Sequence, residues 1–114
     1  MRYFMRVPCK GVYNATPRQL MRKCGYGEFL DPNTKKYSYV RRMRPGNFYP
    51  RFHVYIEQKE EYFVVDLHLD QKKASYAGTA AHAGEYDGPV VEQELKRIYV
   101  IIQTCLREPN KKTP

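Results

Sequence analysis

The order of structural signals along this chain predicts an α+β fold: an antiparallel four- to five-stranded sheet with a short N-terminal helix and a longer C-terminal helix packed on one face. Three observations carry that expectation. Thr16-Pro17-Arg18-Gln19 has the form of a helix start, FHVYIE and YFVVDLHLD alternate apolar and polar residues, and an apolar stripe at spacings of three and four begins at Val91.

Residues 2–7 (RYFMRV) are a candidate first strand. At Thr16 a hydroxyl precedes a proline, whose fixed φ suits the first helical position, and Gln19 stands where a capping-box partner reaches back. Leu20, Met21 and Cys24 then face inward, and Gly25 can take the left-handed conformation that closes the helix. Asp31-Pro32-Asn33-Thr34 is a turn between two segments rich in strand formers, residues 26–30 and 36–43, and Arg44-Pro45-Gly46 is a second turn. Next come the strands FHVYIE (52–57) and YFVVDLHLD (62–70), joined by Gln58-Lys59-Glu60-Glu61. Setting Glu57 opposite Tyr62 places Ile56, Val54 and Phe52 on Phe63, Val65 and Leu67, and it places His53 across from Asp66 on the polar face. Slipping that register by one would bury the charges. Residues 71–88 show no periodicity. Gly88-Pro89 opens the last helix, whose inward stripe is Val91, Leu95, Ile98, Ile102 and Cys105/Leu106. One domain over residues 1–106 with a basic tail at 107–114 is the expected organisation.

The 114 residues are 42% hydrophobic and 14% aromatic, which suits a globular domain rather than a disordered one. Charge is unevenly placed. Residues 1–57 hold 12 Lys/Arg against Glu28, Asp31 and Glu57, a balance of +9, whereas residues 58–114 hold 8 against 9, a balance of −1. Seven of the 11 tyrosines accompany the basic half. Cations that neutralise phosphates, interleaved with rings that stack on bases, point to nucleic acid as partner, and to RNA more than duplex DNA, because no helix has the spacing of a base-reading recognition helix. Cys9, Cys24 and Cys105 are an odd set without CxxC pairing, so a reducing, cytoplasmic location is expected. MRYFMRVPCKG has no apolar h-region, and the sequence has no 18-residue apolar run, so neither export nor a membrane is expected.

A helix ending in Lys-Cys-Gly-Tyr, followed by a strand, a turn and a strand, resembles the opening of the HicA-type mRNA-interferase toxins, which have a double-stranded-RNA-binding-like αβββα fold. The resemblance spans about 30 residues and implies an RNA-directed α+β fold. Where those toxins carry Gly-Ser-His with a catalytic histidine, this chain has Tyr37-Ser38-Tyr39, so the resemblance does not bring that histidine with it.

The row Asp66, His68, Asp70 on one strand, with His53 on its neighbour, is the best candidate site for chemistry. Residues two apart on a strand share a face about 7 Å apart at Cα, and a carboxylate can orient an imidazole for proton transfer or metal binding. His53, Asp66 and His68 are the catalytic candidates. His68 and Asp70, joined by His82 from the long connection, would suit a divalent metal such as Zn²⁺. Against this stands the simpler reading that an open sheet face in water carries paired charges as decoration. For phosphate contact the candidates are Arg18, Arg22, Lys35, Lys36, Arg41, Arg42, Arg44 and Arg51. Tyr37, Tyr39 and Arg41 share a face and would form a stacking platform with Tyr55 if that face is open. The competing assignment buries Tyr37, Tyr39 and Met43 and turns Ser38, Val40 and Arg42 outward. RNA binding is thus the first expectation, a phosphodiesterase or nuclease using the His/Asp cluster the second, and a protein-interaction subunit the third.

Overall fold

The computed structural model describes residues 3–71 and 88–107. Its elements run β1 (Tyr3–Lys10), α1 (Pro17–Lys23), β2 (Gly27–Leu30), β3 (Tyr37–Arg42), β4 (Arg51–Gln58), β5 (Tyr62–Asp70) and α2 (Gly88–Gln103). The fold class is the expected one. Five antiparallel strands form one sheet in the order β1-β5-β4-β3-β2, and both helices contribute to a single core on one of its faces. Among the described residues, no helix is long and apolar enough to cross a membrane. His82 and most of the long connection (72–87), and the tail beyond residue 107, lie outside the described residues.

Local chemistry explains where the elements start and stop. Thr16 Oγ1 accepts from Gln19 N (3.2 Å), and Thr16 N donates to Gln19 Oε1 (2.9 Å), so both halves of the capping box form. At the other end Gly25 has φ 91°, letting Gly25 N reach Arg22 O and Tyr26 N reach Met21 O, both at 3.0 Å. That pair of bonds is a Schellman closure, and it needs a residue without Cβ at this point. Asp31 Oδ1 accepts from Asn33 N at 2.8 Å and shapes the β2–β3 turn, with Lys35 at φ 63°. β1 is an edge strand and therefore tolerates Pro8, which has no N–H to offer a neighbour. It extends to Lys10, three residues past the expected end.

The core is formed by Leu20 and Met21 of α1, Val91, Ile98 and Ile102 of α2, and Phe52, Val54, Val65, Leu67 and Leu69 of the sheet, with Tyr26, Tyr39, Cys9 and Cys24 completing it. Burying each large aliphatic side chain contributes about 1.5–3 kcal/mol before entropy is counted.

Two expectations change. The β4–β5 register is shifted by two residues: Glu57 faces Val64 rather than Tyr62, and His53 faces His68 rather than Asp66. Lys59 N donates to Tyr62 O (2.8 Å), so the connection is tighter than the four residues expected. A shift of two keeps every side chain on its own face, and for that reason the hydrophobic pattern could not detect it. The second change concerns α2. Its buried residues include Glu94, whose carboxylate accepts from Tyr26 Oη (2.6 Å) and from Arg97 Nε (2.9 Å) and lies 3.6 Å from Arg41. A buried carboxylate is tolerable only with such company.

Candidate functional site

The sheet face opposite the helices carries the polar residues of the alternating strands. Across it β4 pairs His53 with His68 and Arg51 with Asp70, and β3 pairs Val40 with His53 and Arg42 with Arg51. Three side chains from three adjacent strands form a hydrogen-bonded series at its centre. Ser38 Oγ lies 2.7 Å from His53 Nε2, and His53 Nδ1 lies 2.8 Å from Asp70 Oδ2. A carboxylate only accepts, so Nδ1 carries a proton, and in the neutral ring Nε2 accepts from the Ser38 hydroxyl. Arg51 Nε donates to the same Asp70 oxygen at 3.4 Å.

A second series lies beside it. Asp66 accepts from Arg6 Nη1 (3.2 Å), Arg6 also pairs with Glu57, and His68 Nε2 stands 3.2 Å from Asp66 Oδ1. The face therefore holds two His–Asp pairs, His53–Asp70 and His68–Asp66. The expected His53–Asp66 pairing is replaced by His53–Asp70 because of the register shift, so Asp66 is the partner of His68 instead.

Burial decides what these groups can do. Ser38 is 2% exposed and His53 6%, so the arrangement Ser–His–Asp presents no accessible nucleophile at Ser38. Its immediate effect is to tie β3, β4 and β5 together through satisfied polar groups. Asp70, Asp66 and His68 are also largely covered. Among the described residues, no three His, Cys, Asp or Glu side chains gather in a way that could hold a metal. His68 and Asp70 of the expected ligand set fall on this face, while His82 is not among the described residues.

Around the buried centre lies an aromatic layer that pattern reading did not assemble. The ring of Tyr55 stacks on His53 (4.6 Å between centroids, 27°) and meets His68 edge-on at 5.3 Å. Phe29 meets His53 edge-on at 6.2 Å. In the β3–β4 loop, Phe48 and Tyr49 pack against one another at 4.9 Å and clasp the Arg51 guanidinium, which sits 4.4 Å from the Phe48 centroid and 4.9 Å from that of Tyr49. The Arg42 guanidinium lies 5.1 Å from the Phe48 centroid. Phe48 is nevertheless 47% exposed and Tyr55 42%. The sequence did hold a signal for this loop: Phe48 and Tyr49 stand next to Pro50-Arg51, at the end of a turn whose glycine, Gly46, takes φ 82°.

The expected phosphate-binding residues are divided between the two faces. Arg51 is buried and engaged with Asp70, and Arg41 faces Glu94 on the helix side. Arg18 pairs with Glu28 at 2.9 Å, and Arg22 closes α1, also on the helix side. Arg42 lies on the helix-free face, Arg44 in the adjoining loop, and Lys35 and Lys36 in the exposed β2–β3 turn. Tyr39 belongs to the core, so it does not share a platform with Tyr55, and Ser38, Val40 and Arg42 turn the other way, as the competing assignment has it, but Tyr37, which that assignment buries, is exposed at the end of β3. Compared with known proteins, the chain matches no family model, no curated protein and no solved structure. The likeness to HicA-type toxins gains nothing from those comparisons.

Proposed function

We propose that this domain binds single-stranded nucleic acid, RNA in first place, on the helix-free face of its sheet. The observation that carries the reading is the exposed aromatic set Phe48, Tyr49 and Tyr55 set among Arg42, Arg44 and Arg51. Exposed rings held from below by cations keep an outer π-face for a base, and neighbouring arginines meet the phosphates. Arg51 supports the rings from the buried side, Arg42, Arg44, Lys35 and Lys36 are exposed cations on or beside this face, and Arg6, also exposed there, is engaged with Asp66 and Glu57. Arg18, Arg22 and Arg41 lie on the other side of the sheet and supply only its general positive field.

Fluorescence titration of labelled single-stranded RNA tests it at several salt concentrations. Affinity falls steeply with salt, and Phe48→Ala or Tyr55→Ala weakens binding by about 1–3 kcal/mol per lost stack. Arg42→Ala lowers the salt slope by about one, while Arg22→Ala changes little. Affinity that is flat in salt, or aromatic variants that bind like the parent, would refute the reading.

A second reading, a phosphodiesterase or nuclease that works by acid–base chemistry, draws its support from His68 and Asp66, which stand 3.2 Å apart on the same face as the exposed rings. Incubating the same RNA with and without Mn²⁺, Zn²⁺ or EDTA decides it. Cleavage lost in His68→Ala supports it, and intact RNA under every condition sinks it.

A further inference from the structure

We propose that this chain forms a two-fold dimer with a second copy of itself, through the outer surface of α2 where it runs beside the edge strand β1. This proposal does not depend on what the helix-free face binds.

The inner stripe of α2, Val91, Ile98 and Ile102, is fully buried against the sheet. A helix at the surface of a domain needs one such stripe. α2 has a second. Leu95, Tyr99 and Val100, with Val7 from β1, line an apolar groove whose rim is Glu92 and Lys96. Val100 is 61% exposed, a large fraction for a β-branched aliphatic residue next to other apolar groups. Contiguous exposed apolar surface rimmed by polar residues marks a contact region.

Charge selects the occupant. With a net charge of +8, two copies repel one another over most of their surfaces. The α2 helix is an exception, holding Glu92 and Glu94 against Lys96 and Arg97, a balance of zero. An acidic partner would be drawn to the basic surfaces instead. On the rim, Glu92 and Lys96 stand one helical turn apart with their charged atoms 3.9 Å from each other. A second α2 laid antiparallel across the groove brings the Glu92 of each copy to the Lys96 of the other, so one two-fold axis makes both ion pairs and covers both apolar stripes. Pro8 in β1 removes a backbone donor from the sheet edge, so the contact is made by side chains rather than by sheet extension.

Sedimentation velocity on the full chain, from low to high micromolar concentration, reads the result directly. The parent protein shows a reversible, concentration-dependent dimer. Val100→Glu raises the dissociation constant by about ten-fold or more, because the charge would be buried in the contact, and at concentrations where both proteins are monomeric its melting temperature equals the parent's, since the side chain is exposed in the monomer. Glu92→Lys and Lys96→Glu each weaken the dimer by setting like charges against each other, and the double exchange restores it. A monomer at all concentrations overturns the proposal, as does a Val100→Glu dimer as tight as the parent's. A double exchange no tighter than the single variants overturns the two-fold pairing.

Discussion

At Arg51 one guanidinium, itself nearly covered, meets the covered carboxylate of Asp70 and the rings of Phe48 and Tyr49. Arginine suits that place better than lysine, since its planar fork can bond a carboxylate edge-on while its faces stack on rings. Arg51→Ala is expected to cost about 1–3 kcal/mol in a denaturant titration, because Asp70 keeps its bond from His53 but loses the guanidinium and the loop loses its support. Arg51→Lys should recover only part of that loss, and full recovery would show that charge alone matters. Burial pushes the thiols of Cys9 and Cys24 up from an ordinary 9.0 to about 11. An unfolded thiol gives up its proton first, so the stability these two sites contribute is complete below pH 9.0 and is lost as pH rises through about 11. Unfolding free energies measured across that window should decline, and Cys9→Ser/Cys24→Ser should flatten the decline. Both thiols should also react slowly with a maleimide in the native protein.

Among the elements, α1 shows how much seven residues depend on their ends. Its capping box and glycine closure were both legible, because they are local: a hydroxyl, a proline and a glutamine at fixed offsets leave little choice. Thr16→Ala removes the acceptor for Gln19 N and should cost about 1 kcal/mol, visible as a lower melting temperature. Strands are less explicit. Alternation assigned Phe52, Val54, Val65 and Leu67 to the core and His53, Asp66 and His68 to the other face, all correctly, yet it was blind to a shift of two that changes every partner. Ser38 became a partner of His53 through the offset between β3 and β4, which no residue pattern encodes. On α2, Glu94 stands three residues after Val91 and four before Ile98, so its spacing did point inward. Its charge argued against the core, and the missing information was Tyr26 and Arg41, which arrive from elsewhere in the fold to join Arg97, one turn along the same helix. Tyr26→Phe, which deletes the 2.6 Å bond and leaves the carboxylate underbonded, should cost about 1–3 kcal/mol by the same melting experiment.

For the molecule as a whole, the layered arrangement was readable from periodicity, and so was part of the distribution of charge over it. Arginines next to each other in sequence, Arg41 and Arg42, end on opposite faces because a strand alternates. A count of basic residues in the first half therefore overstates the charge available to any one ligand. If phosphate contacts come from the helix-free face alone, the salt dependence of RNA binding should correspond to about three or four neutralised phosphates, with Arg42, Arg44, Lys35 and Lys36 as contributors. A slope near eight would mean that the strand wraps both faces. Site residues were partly legible for a related reason. Composition identified tyrosine and arginine as the materials, but Phe48 and Tyr49 reach the sheet face only because a turn at Gly46 brings their loop back over Arg51.

The strand order has a consequence for how the protein is made. β2 to β5 are consecutive neighbours, so each finds its partner soon after synthesis. β1 must wait for β5, which lies some sixty positions away, as the Arg6–Asp66 bond shows. β1, made before the other four strands of the sheet, is then the last of them to be docked, and the slow step of folding should be the closing of that long loop. In the interval the nascent strand is guarded by its own sequence: Arg6, Pro8 and Lys10 each make it a poor template for another chain.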